Sequence, residues 1–396
     1  MRKFAVLAVI FALILALPGC TQIALGRREI DKLFITRIMA IDKSQDSKVK
    51  LTLATKSLET GGNSGGGQTQ KGESVESEGD TVFDAVRNLL IYSDRKPHYG
   101  HTEYILFGEE IAREGILPYL DFISRQNEFR SNAKIYIVRG ATANLLVKNT
   151  NSNKMFAGDR IASIEEDAKS TALSSIATLN EALLILENPN LDTFIPFIEE
   201  KKTMAMEGEE AKSDILLGGY ALFKLDKLLY FTSEEESKGI SWIMNRSGSS
   251  VILVQSKAGE KVSLEIIDSR ARLIPRIEDN GLYCTIELSI TTNIAEIMGS
   301  KTLVDPEGVK YLETQQEKIV KQTLEKTVKI AQENNSDHFS TITRFIFKYP
   351  MMRDYFDKNW KDLYPDIKFD IKVKSKIKGT YLLNEPTGST EKIVGE

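Results

Sequence analysis

Cysteine, histidine and tryptophan are scarce in this 396-residue chain, which holds two, three and two of them. Two cysteines, Cys20 and Cys284, exclude a disulfide framework and a thiolate metal site. His98 and His101 are three apart beside Pro97 and Gly100. In an extended stretch that spacing sends their rings to opposite faces. His338, the third histidine, has no ligand-type spacing around it. No Ser/His/Asp or Cys/His set is indicated, and the many carboxylates have the spacing of solvated faces. Excess positive charge is missing too: the formal net charge is −4, which argues against a nucleic-acid partner. Beyond residue 19 no second long apolar run occurs, so the remainder reads as a peripheral body and not as a membrane bundle.

What is present begins at the N-terminus. Arg2 and Lys3 precede an unbroken apolar run from Phe4 to Leu17, and Pro18 and Gly19 lead into Cys20. This is the anatomy of a bacterial lipoprotein leader, removed so that Cys20 becomes the lipid-bearing first residue. The rival reading is an uncleaved membrane anchor. Sixteen apolar-compatible residues at about 1.5 Å each cover roughly 24 Å, short of a hydrocarbon core of about 30 Å. A diacylglyceryl group on Cys20 supplies two acyl chains, enough for stable attachment where one is marginal. Loss of Arg2 and Lys3 with the leader takes the charge to −6. Cys284 then has no partner; it sits in the strand-like run LYCTIELSI and is expected as a small buried core residue.

The length exceeds one typical core. Residues 1–19 read as the leader and 20–200 as an N-terminal α+β domain. Residues 201–248 read as a small middle domain or linker, 249–385 as a C-terminal α+β domain and 386–396 as a tail. Within the first domain, Leu33–Ile41 reads as one buried strand, paired as a hairpin with 48–56. Residues 59–79, rich in Gly, Ser and charge, read as a mobile loop; Lys71 followed by Gly72 and Glu73 rules out a phosphate-binding loop. Asp80 is expected to cap a helix. A single long helix is expected over 170–187, stopped by Asn188–Pro189. Ser233 with Glu236 is a capping-box signature. The C-terminal third has the order β-β-β-α-α-α-β, an α+β arrangement with helices covering a sheet. The fold class expected is therefore α+β and multidomain, with three domains, mixed or antiparallel sheets and packed helices.

Two surface features stand out. Arg125, Asn127, Glu128 and Arg130 form a dense polar cluster, read first as an ion-paired helix terminus and alternatively as a partner-facing network. In the last strand Ile367, Phe369, Ile371, Val373 and Ile377 alternate with Lys368, Lys372, Lys374, Lys376 and Lys378. The plain reading of these lysines is a solvated face that deters edge pairing. The sharper one is a face toward a membrane or partner, since each lysine near anionic headgroups adds about 1 kcal/mol.

An ordered series of residues resembles the Ger(x)C family of spore germination lipoproteins across nearly the whole mature chain. It runs from Gly19–Cys20 and REIDKLFITRIMAID through FGEEIAREGILPYLDFISRQNEFRSNAKIYIVRG and GGYALFKLDKLLYFTSEEESKGISWI. The C-terminal third follows with Glu313, Gln332, Asp337, Tyr349–Pro350, Trp360, Pro365, the lysine-rich strand and Gly379. Departures are Thr21–Gln22, where the family often has Trp-Asp, and Tyr230–Phe231, where glycine is common. The resemblance implies a lipid-anchored, non-enzymatic C subunit of a nutrient germinant receptor, without cofactors or catalytic residues. Its expected place is the outer face of the spore inner membrane, beside integral membrane A and B subunits. The alternative carried is a solute-binding lipoprotein of a transporter.

Overall fold

The computed structural model describes residues 30–46, 48–59, 69–152, 155–168, 171–175, 177–202, 213–278, 281–299 and 305–380. After a 3-10 turn at Ile30–Lys32 come β1 (Leu33–Ile35), β2 (Ile38–Lys43), β3 (Val49–Glu59), β4 (Thr69–Gly79) and α1 (Val82–Tyr92). There follow β5 (Lys96–His98), β6 (Tyr104–Gly108), α2 (Glu109–Glu114), α3 (Leu117–Arg125) and β7 (Lys134–Arg139). Next are α4 (Ala143–Ser152), α5 (Ala157–Ala168), α6 (Leu179–Leu186), β8 (Phe194–Lys202), β9 (Ser213–Lys224), β10 (Lys227–Phe231) and α7 (Glu234–Ile243). The last part holds β11 (Ser250–Gln255), β12 (Lys261–Glu278), β13 (Gly281–Met298), α8 (Pro306–Glu333), α9 (Thr341–Lys348), α10 (Arg353–Leu363) and β14 (Lys368–Thr380). The fold is α+β with mixed sheets and packed helices, as the patterning predicts.

Eight strands form the first sheet in the order β10-β9-β8-β7-β6-β2-β3-β4, parallel at its centre and antiparallel toward both edges. Its central strands are buried on both faces: Ile38 to Asp42 and Tyr104 to Gly108 carry almost no exposed residue. This is the continuous apolar run that a strand covered on two sides requires. One apolar cluster under α1, α2 and α3 fills one face, and another under α4 and α5 fills the opposite one. Asp42, buried at the end of β2, accepts the Ala143 and Asn144 N–H groups at 2.7 and 2.8 Å and so caps α4 from across the sheet.

Several expectations need correction. Leu33–Ile41 is two strands, because Thr36 and Arg37 break the ladder: β1 leaves to pair with β5 in parallel, and only β2 enters the large sheet. Of the loop expected at 59–79, residues 69–79 are the edge strand β4, in register with β3 from Val49↔Gly79 to Glu59↔Thr69; residues 60–68 lie outside the described set. Pairing supplies the order that composition does not, since strand formation depends on context more than on propensity. The cap of α1 is Thr81, not Asp80. The helix expected over 170–187 begins only at Leu179, where Thr178 and Glu181 close a capping box. Of the segment 201–248, the described residues of β9 and β10 extend the first sheet, while α7 packs its Trp242 into the C-terminal core.

The second unit is a four-stranded sheet, β11-β12-β13-β14, with β14 joining β13 in parallel at one edge. Helices α7 to α10 cover one face. Its core runs on into the first unit through Phe194, Tyr220 and Leu222.

Candidate functional site

Two places in the fold gather side chains whose chemistry is not exhausted by local packing. The first is the junction between the units. Parallel register carries the starts of β2, β6, β7 and β8 to one end of the large sheet. There Asp192, two residues before β8, meets Asp337 in the turn after α8. Each backbone N–H of the pair reaches an oxygen of the other residue, at 3.4 and 3.2 Å. Asp192 also accepts the Leu225 N–H at 2.6 Å. The Lys224 ammonium donates to the Asn334 and Asn335 carbonyls just past α8, at 2.8 and 3.0 Å. A cation there complements the negative end of the helix.

Asp337 is buried and accepts from three groups: the Thr341 and Ile342 N–H, each at 2.9 Å, and the Trp360 indole at 3.2 Å. Burial nonetheless pushes its carboxyl up to about 6. His338, also buried, donates through Nε2 to the Phe223 carbonyl at 2.9 Å, and burial holds its imidazole below the ordinary value. Trp360 itself is boxed in by Phe345, Phe356 and Tyr364, with ring centroids 5.7 to 6.1 Å away. The cleft lined by Asp192, Lys224, Asp337 and Trp360 is about 20 Å³, room for roughly one water. The junction is thus a fastening.

Two further positions that carry the family resemblance, Glu313 and Gln332, hold α8 to the last strand of the C-terminal unit. Glu313 accepts the Ile377 N–H at 3.0 Å. Gln332 donates to the Pro365 and Ile367 carbonyls at 3.0 and 2.8 Å. Together they stitch α8 to β14 and to the turn before it. These bonds hold the fold together.

The second place is the open face of the four-stranded sheet. Lys368, Lys372, Lys374, Lys376 and Lys378 are all exposed, while Ile371 is buried and Phe369, Val373 and Ile377 pack inward on the core. Cys20 lies outside the described residues. Cys284 is buried without a disulfide partner, and burial pushes its thiol up to about 12; it is the core residue expected.

His98 and His101 have ring centroids 6.0 Å apart, so they are neighbours and not on opposite faces. The strand ends at His98, and the chain turns between Tyr99 and Thr102. Glu128 accepts the Tyr99 N–H at 2.9 Å and stands 3.1 Å from His98 Nδ1. Among the described residues no group of three or more His, Cys, Asp or Glu is placed to hold a metal. Arg125 pairs with Asp121 one turn back in α3, at 2.8 Å, the plain reading of that cluster. Among the described residues no helix is long and apolar enough to cross a membrane.

Comparison with known proteins agrees with this architecture. Residues 26–200 match the family described as Spore germination protein N-terminal domain, and residues 218–381 match Spore germination B3/GerAC like, C-terminal. The chain belongs to the Ger(x)C family of spore germination proteins. It is 26% identical to Spore germination protein KC of Bacillus subtilis (strain 168), over 98% of both chains. It is 23% identical to Spore germination protein B3 of the same organism, over 94% of this chain and 98% of that one. The crystal structure of the GerBC protein shares the fold, with a TM-score of 0.53 at 18% identity, covering 86% of this chain and 96% of that one.

Proposed function

We propose that this protein is a lipid-anchored, non-catalytic subunit of a nutrient germinant receptor, acting in receptor assembly and signal coupling. Cys20 carries the diacylglyceryl group and moors the body to the outer face of the spore inner membrane. Its partners there are the integral membrane A and B subunits. The observation that carries this reading is the match of both units, in order, to the germination family, behind a leader that ends at Gly19, just before Cys20. Anchoring to a surface raises the effective concentration of the body near membrane partners.

The rival, a solute-binding lipoprotein, needs two lobes that close on a cleft. Here the units differ in size and strand order, and one apolar core crosses between them. Such a seam resists hinge motion. The test is genetic: Cys20→Ala should abolish nutrient-triggered germination and leave a non-nutrient trigger working. A normal nutrient response in that strain rejects the reading.

A further inference from the structure

We infer that the open face of the C-terminal sheet is an electrostatic docking surface for an anionic lipid bilayer. The inference rests on the membrane-anchored reading above and adds to it the face that meets the lipid.

Register defines the surface. Crossing from β12 to β14, the outward residues form the rows Arg276–Tyr283–Lys368, Ile274–Thr285–Asp370, Arg272–Glu287–Lys372 and Arg270–Ser289–Lys374. A further row is Asp268–Thr291–Lys376. Cations therefore stand on both β12 and β14 in three of these rows, and Lys378 extends the line along β14. Helices α7 to α10 all pack on the other side, so among the described residues nothing covers this face.

Its charge is opposite to that of the chain. Glu265, Asp268, Glu278, Glu287, Glu296 and Asp370 are its carboxylates, set against three arginines, five lysines of β14 and Lys261, an excess of cations on a protein of formal charge −4. Local pairing uses up part of the positive charge: Arg270 lies 3.4 Å from Asp268, Arg276 lies 3.3 Å from Glu278 and Lys372 lies 3.5 Å from Asp370. Among the described residues Lys374, Lys376 and Lys378 have no acidic group within 4 Å.

Protection of an exposed edge accounts for charge on β14, which is the edge strand. It does not account for Arg270, Arg272 and Arg276, which lie on β12 with β13 between. A solvated face needs polarity but not one sign of it. A surface with an excess of cations matches the negative potential of an anionic leaflet, where each basic residue within a Debye length strengthens attachment by about fivefold. The tether favours the same occupant: β1 follows the anchor segment and sits at the end of the large sheet where Asp192 meets the C-terminal unit. Residues 21–29, at no more than about 3.6 Å each, keep that end near the bilayer.

The test uses the full lipidated chain in nanodiscs of phosphatidylcholine, with or without phosphatidylglycerol, carrying a lipid-borne quencher. A fluorophore is placed on the exposed face through Ser289→Cys; buried Cys284 does not compete for the label. Quenching should be several-fold stronger with phosphatidylglycerol at low salt and fall to the phosphatidylcholine level at high salt. It should be lost both in Lys372→Gln/Lys374→Gln/Lys376→Gln and in Arg270→Gln/Arg272→Gln. Equal quenching on both lipids, or variants that quench like the parent, overturns the inference. So does a face that stays unquenched in anchored protein, the result expected if an acidic protein surface occupies it. Retention in the discs is read separately: protein that washes out with Cys20 intact overturns the anchored reading and this one with it.

Discussion

Asp192 and Asp337 hold the two units together through reciprocal contacts: each backbone N–H of the pair reaches an oxygen of the other residue. The pair spans 145 positions of sequence. Asp337 then gathers Thr341, Ile342 and Trp360, so that one buried carboxylate ties the junction to α9 and α10.

The buried carboxyl makes stability depend on pH. Asp337 titrates at about 6 in the fold against an ordinary 3.8. The folded state therefore holds the extra proton between those values, and this contribution to stability, full below 3.8, is lost as pH rises through about 6. Asp337→Asn removes the titration and turns an amide donor toward existing donors, a cost of about 1–3 kcal/mol. The stability difference between parent and variant, from urea unfolding, should grow as pH is lowered from 7 to 4. A constant difference rejects the assignment.

His338 acts with the opposite sign. Its folded value lies below 6.5, so the unfolded chain takes up a proton first and stability is lost as pH falls below that point. His338→Gln keeps a donor for the Phe223 carbonyl. Its unfolding midpoint should lose less than the parent's on acidification; an unchanged slope shows that the imidazole is not held neutral.

Trp360 contributes both packing and one hydrogen bond, and substitution separates them. Trp360→Ala should cost about 3–5 kcal/mol, the range for emptying a large aromatic site. Trp360→Phe keeps most of the stacking and leaves Asp337 one donor short, for about 1–3 kcal/mol. Equal losses in urea melts would show that the indole N–H contributes nothing.

Much of this was legible in the sequence where structure is local. The Ser233–Glu236 capping box is present with both of its bonds, and the β-β-β-α-α-α-β order of the last third holds. The alternation from Phe369 to Lys378 gives the correct inward and outward residues. Thr178-x-x-Glu181 carries an equally local signal for the start of α6, and the residues before it, 170–177, include three serines that disfavour a helix interior. β8 was missed because Phe194–Ile198 is a continuous apolar run broken by Pro196, with neither period. β4 was invisible for a different reason: its order comes from β3 and from α1, whose Asn88 donates to the Glu78 carbonyl at 2.9 Å. The junction and the cationic rows needed the register, because neither lies within one segment of chain.

A close approach between two helices gives a further test. A Cβ on Gly239 of α7 would strike the Thr327 hydroxyl of α8, so the glycine sets how near the helices lie. Gly239→Ala should cost about 1–3 kcal/mol through overpacking, and Gly239→Ala with Thr327→Ala should recover part of it. Without recovery in thermal melts, the contact is not what fixes the spacing.

The two cysteines allow anchoring to be counted. Burial and a pKa of about 12 should keep Cys284 unreactive toward a thiol reagent in the folded protein. Denaturation exposes it. Protein extracted from membranes should then titrate one thiol, because Cys20 is a thioether, whereas a Cys284→Ala chain should titrate none. Two thiols in the denatured parent, or one in the variant, would mean that Cys20 carries no lipid and that attachment rests on something other than the acyl chains.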